Sequence, residues 1–141
     1  MNIVILCLLV ALVWGIAPIF EKMSLKHISS FGALTIRSIA TTVVLITLAF
    51  MMGRQKEIFG VDGKTLIYIL LGGVCGILGL FIYFVALKQD ATSRVVPLVN
   101  IFPLFTVLYS VVLLNETLTP MRIAGILLVV GGVYLINVSH S

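Results

Sequence analysis

The sequence predicts an all-α, polytopic membrane protein: a bundle of five transmembrane helices with no soluble domain. Three observations predict it. The 141 residues are 61% hydrophobic and only 10% charged, whereas a soluble globular domain is about half apolar and about a quarter charged. A soluble domain this short cannot bury so much apolar surface, because small domains bury the smallest fraction of theirs. The apolar residues also gather into five runs close to the roughly 20 residues that span a bilayer, and the mean hydropathy is +1.27.

The runs are Ile3–Phe20, Phe31–Met52, Thr65–Leu87, Arg94–Leu114 and Met121–Asn137. They are apolar all round. That excludes a transmembrane barrel, whose strands alternate apolar and polar residues. The first run differs from a signal peptide. Only Met1 and Asn2 precede it, so it has no positive n-region, and Glu21-Lys22 follow it where a small-residue cleavage site would stand. It is expected to be a mature helix.

The second run carries Arg37, about 9 Å from its start at 1.5 Å per residue. An arginine that deep snorkels, pairs or lines a wet cavity. The third run holds Gly72, Gly73, Gly76 and Gly79. Such small residues let helix backbones approach closely, within one chain or between two. Asp62 is placed to cap this helix, with Gly63 in the turn, while Gly53 and Gly60 mark the ends of the preceding loop. Ser93 is the expected cap of the fourth helix, and Thr119-Pro120 reads as a cap and first-turn proline for the fifth. The fifth run has Ala124, Gly125, Gly131 and Gly132 as a further packing face.

The fourth run is the least regular. Pro97, Asn100 and Pro103 recur at spacing three, within about 120° of one helix face. Pro103 has no N–H for the carbonyl of Val99, so the helix is expected to bend there. A freed carbonyl beside an amide near the midplane suits a ligand or ion site, and it equally suits a kinked packing helix. Glu116 sits at the end of this run and fits a role in the following turn.

Trp14, Arg37, Tyr83 and Asn100 fall in the same half of the membrane by residue count. Polar and aromatic groups at one depth suggest one cavity open to that side, with Trp14, Arg37, Tyr83, Asn100, Pro97 and Pro103 as substrate-binding candidates. Tyr83 also suits interfacial anchoring.

Five spans put the two termini on opposite sides. The side of the amino terminus, side A, receives Arg54, Lys56, Lys64 and Arg122. Side B receives Lys22, Lys26, Lys88 and Arg94. Arg37 is the last of the 9 basic residues. Orientation normally follows an imbalance of Lys and Arg between loops. Here four face four. Either weak determinants or a partner decide the orientation, or the chain inserts both ways.

Cys7 and Cys75 read as packing thiols. No CxxC or His/Cys ligand spacing is present, His27 lies in a loop and His140 near the end, so no metal site is expected. The sequence pI of about 9.3 comes from basic residues scattered over short loops, a pattern that suits lipid and not nucleic acid. No nucleophile elbow, HExxH or pair of carboxylates within helices appears. The chain is therefore not expected to be an enzyme or to carry a cofactor. It has no ATP site, so any transport draws on gradients.

In several places the chain resembles the EamA domain of the drug/metabolite transporter superfamily. The matching residues are Val13-Trp14-Gly15 with Glu21-Lys22, Arg37, Tyr83 to Lys88, Ser93 to Leu98, Pro103-Leu-Phe, Leu114-Asn-Glu116 and Gly125 with Gly131 to Ile136. The resemblance covers nearly the whole chain, residues 1–141 forming one EamA-like unit. Many members carry two inverted five-helix units, so it implies a half-size transporter that pairs. The pair would be a homodimer, antiparallel or not, or a complex with a related half-size subunit. The implied function is secondary transport or export of small metabolites across the cell membrane. A lipid-linked sugar flippase and a non-transporting membrane subunit or scaffold are the alternatives. The small multidrug resistance proteins are related but have four helices and an acidic residue within the first, where this chain has none before Glu21.

Overall fold

The chain divides into two compact units, Met1–Lys88 and Gln89–Ser141. The structure, a computed structural model, describes residues 2–138, so His140 lies outside the described residues. Among them, five helical spans are long and apolar enough to cross a membrane, and no strand occurs.

The first unit contains α1 (Ile3–Ser24), α2 (Ser30–Met51), α3 (Gln55–Phe59) and α4 (Gly63–Gln89). Helix α1 starts where the Asn2 side chain accepts from the Val4 amide. It runs one turn past the end expected at Phe20, so Glu21 lies inside the helix. Ser29 caps α2 by accepting from the Gly32 amide at 3.1 Å. The end of α2 is a Schellman motif: Gly53 takes a positive φ of 67°, its amide bonds the Phe50 carbonyl, and the Arg54 amide bonds the Ala49 carbonyl. The expected loop from Gly53 to Gly60 holds the single turn α3, with Arg54 paired to Glu57 at 2.9 Å. Asp62 caps α4 as expected, accepting from the Thr65 amide at 3.1 Å.

Packing in this unit is concentrated at the side B ends of the helices. Leu25, Ala33, Leu34, Phe84 and Leu87 are buried there. Two lysines fasten the same region. Lys22 Nζ donates to the Leu87 carbonyl in the last turn of α4, and Lys88 Nζ donates to the Ile28 carbonyl at 3.0 Å. The first bond satisfies one of the unpaired carbonyls at the α4 C-terminus, and the second ties the end of α4 to the connection before α2. Among the described residues of this unit, a Cβ added at Gly72, Gly73, Gly76 or Gly79 of α4 meets no atom within 4 Å, so these glycines face open space here.

The second unit contains α5 (Thr92–Val99), α6 (Phe102–Leu114) and α7 (Pro120–Val138). The expected fourth helix is thus two helices, broken at Asn100 and Ile101. Pro103 becomes an early residue of α6, where a missing N–H leaves no bond unmade. The break falls just before Pro103, because its missing donor prevents the α5 ladder from continuing through the Val99 carbonyl. Ser93 does not cap the helix. Helix α5 begins two residues earlier than expected, after Ala91, and Asp90 organises that end by accepting from the Ala91 amide at 2.7 Å and pairing with Arg94 at 2.9 Å. Helix α6 ends at Asn115 in the left-handed conformation, φ 54°, and the Glu116 amide bonds the Ser110 carbonyl. That backbone contact belongs to the turn after α6. Thr119 caps α7, accepting from the Arg122 amide at 3.3 Å.

Candidate functional site

The polar centre of the first unit is an ion pair. Arg37, two turns into α2, reaches the Glu21 carboxylate of α1 at 3.0 Å. The Glu21 side chain is only 12% exposed and that of Arg37 42%. A carboxylate so enclosed in an apolar bundle needs a partner, because an uncompensated charge there is costly. Arg37 meets the same requirement from its side. Of the roles expected for it, pairing is observed.

Helix α4 completes the cluster with two adjacent aromatic residues. The Arg37 guanidinium stands 5.8 Å from the centre of the Phe84 ring, within cation–π range. Phe84 is 1% exposed and packs edge-on against Tyr83, with ring centres 5.9 Å apart. The Tyr83 phenol lies close enough to Glu21 and Arg37 to interact with both. Ser30 Oγ donates to the Phe84 carbonyl at 3.3 Å, tying the start of α2 to this turn of α4. Three helices therefore fix one arginine, one carboxylate and two rings.

The cluster opens onto a groove of about 410 Å³ lined by Ala17, Phe20, Glu21, Ile36, Arg37 and Phe84, among others. One end is an ion pair, and the walls are hydrocarbon except at Ser24. That composition is typical of small-molecule sites, where apolar walls supply area and a few polar groups orient the ligand. Pro18, inside α1, leaves the Trp14 carbonyl without its helical donor one turn from this groove.

Of the residues singled out from the sequence, Arg37 and Tyr83 are brought together here. Trp14 is 70% exposed and lines neither this groove nor the one in the second unit. In the second unit Pro97 lies within α5, Asn100 is its exposed final cap and Pro103 opens α6. Pro103 also lines an apolar groove of about 260 Å³ between α6 and α7, with Leu104, Val107, Gly125 and Val129.

Glu21 was missed as a site residue. The expected helix end at Phe20 placed it in a boundary, although an arginine deep in the next helix calls for a countercharge and Glu21 is the nearest acid in sequence.

Comparison with known proteins agrees with this architecture. Residues 1–138 match the EamA-like transporter family. The chain is 32% identical over 137 residues to an uncharacterised protein of Methanocaldococcus jannaschii, covering 97% of each. It is 26% identical over 124 residues to an uncharacterised transporter of a Sinorhizobium species, covering 88% of each. It is 28% identical over 140 residues to a probable amino-acid metabolite efflux pump of Salmonella typhimurium, covering 92% of this chain and 46% of the pump. No solved structure matches the chain. With five membrane-length helical spans among the described residues and a match across residues 1–138, the chain is a multi-pass membrane transporter that belongs to the EamA-like transporter family.

Proposed function

We propose that the protein is a gradient-driven secondary transporter of small metabolites in the cell membrane, working as a dimer of half-size units. The observation that carries this reading is the Glu21–Arg37 pair at the end of an otherwise apolar groove. Ionisable residues at membrane depth are expensive and commonly mark substrate or ion pathways. In this reading Arg37 and Tyr83 contact substrate directly. The break at Asn100, flanked by Pro97 and Pro103, supplies unpaired backbone groups of the kind that line transport pathways. Trp14 contributes an aromatic surface.

Support for pairing comes from two sides. The Lys and Arg outside Arg37 are evenly split, which suits insertion in both orientations. Relatives of about this length also exist beside a pump roughly twice as long.

The test is reconstitution. Purified protein is first screened with metabolites for a rise in melting temperature, since a ligand of the folded state stabilises it. Hits are then followed as flux into proteoliposomes under proton and sodium gradients. Saturable flux that collapses with the gradient is expected, and Arg37→Gln should remove it. Flux with no dependence on any gradient would overturn the secondary-transport reading.

A further inference from the structure

We propose that Arg37 is an anion subsite that Glu21 occupies from within the chain, and that a small organic carboxylate with an apolar body is the ligand that takes its place. This rests on reading the α1–α2–α4 groove as the substrate site, and it names the substrate class.

The geometry of the pair supports it. A guanidinium is a planar fork of donors matched to a carboxylate. The 3.0 Å approach of Arg37 to Glu21 is made by a terminal nitrogen, and 42% of the arginine side chain remains exposed beside the groove. The near-buried partner is itself a carboxylate, the chemical group the fork recognises best. Glu21 therefore acts as a tethered version of the ligand's own head group.

The surroundings specify the rest of the molecule. Apart from the ion pair and the Ser24 hydroxyl, the groove is lined by hydrocarbon from Ala17, Phe20, Ile36 and Phe84 among others, so a ligand body of compact apolar or ring character fits it. Displacing Glu21 would leave a costly buried charge if nothing received it. Tyr83 receives it. Its phenol stands within electrostatic reach of Glu21, on a ring fixed edge-on against buried Phe84, so a donor is at hand for the carboxylate when Arg37 turns to the ligand.

Self-occupancy has a quantitative consequence. A ligand that binds only the fraction of molecules with Arg37 released shows an affinity reduced by that fraction. Removing the internal competitor therefore tightens binding, while an ordinary structural ion pair would weaken it on removal.

The probe is benzoate, with benzamide as its uncharged counterpart, measured by calorimetry on detergent-purified protein. Benzoate should bind the wild type weakly, and benzamide not at all. Glu21→Gln should bind benzoate at least tenfold more tightly. Tyr83→Phe should bind several-fold more weakly, because Glu21 then has only Arg37. Arg37→Lys keeps an ion pair and a fold but loses the fork, and should lose at least tenfold. Weaker benzoate binding by Glu21→Gln, or equal binding of benzamide, would overturn the proposal. Proteoliposome flux separates it from the transport reading. The expected benzoate pattern without flux of any solute would remove transport and leave the subsite. Flux of some metabolite, with no benzoate binding by wild type or Glu21→Gln, would remove the subsite and leave transport.

Discussion

The Arg37 guanidinium lies 3.0 Å from the Glu21 carboxylate, and the two partners are unequally enclosed, at 42% and 12% exposure. The asymmetry sets which half of the pair matters more to the fold. Arg37→Gln leaves an enclosed carboxylate without its cation and should cost about 2–3 kcal/mol. Glu21→Gln leaves a half-exposed guanidinium that can snorkel, and should cost about 1 kcal/mol or less. The double variant should be more stable than the sum of the two losses predicts. Melting in a mild detergent checks all three, and strict additivity would mean the pair is not energetically coupled.

Pro103 is expected to matter more to transport than to folding. Pro103→Ala supplies an N–H for the Val99 carbonyl and lets α5 run on into α6, removing the break at Asn100. Flux in proteoliposomes should fall by at least tenfold while the melting temperature holds or rises. Undiminished flux would leave Pro103 as a packing residue.

Asn115 ends α6 at φ 54°. A β-branched residue there should cost about 1–2 kcal/mol, since its Cβ crowds the backbone in the left-handed region. Asn115→Gly should be tolerated. Thermal unfolding of Asn115→Val against Asn115→Gly measures the difference, and equal stability would show that the turn relaxes to another conformation.

Asp62 lies outside the membrane-spanning segment it caps. Its hydrogen bonds to the Thr65 side chain and then the Thr65 amide hold its carboxyl below the ordinary value of 3.8. A depressed carboxyl contributes stability above its unfolded pKa and loses it as pH falls through the folded one. Amide exchange at Thr65 and Leu66 should therefore be faster in Asp62→Ala than in wild type at neutral pH. The difference should shrink as pH falls below 3.8. A difference that persists unchanged in acid would assign the protection to something other than the charged cap.

An antiparallel dimer is expected to depend on balanced loop charge. Ile58 and Phe59 are exposed at 55% and 84% in the α2–α4 connection. Replacing both by lysine should bias every copy to one orientation. That variant alone should lose flux, and co-expression with a variant biased the other way should restore it. Full flux from a population shown by cysteine labelling to be of single orientation would leave a parallel dimer or a different subunit as the partner.

The membrane class, the five spans, the caps at Asp62 and Thr119 and the weakness before Pro103 were all legible in the sequence. Each depends on local quantities: summed hydropathy over about 20 residues, a side chain within three residues of a free amide, or a missing N–H. Smaller errors had equally local causes. Ser93 was a reasonable cap until Asp90 claimed that end for itself. The pairing of Glu21 with Arg37, and the placing of Tyr83 and Phe84 against it, were decided only by the tertiary structure. They depend on one further turn of α1 and on how α1, α2 and α4 are rotated about their axes. In lipid, apolar residues all round a helix leave that rotation unspecified by hydropathy. It is the charge that must not stand alone, together with the lysine and serine bonds to the end of α4, that selects it.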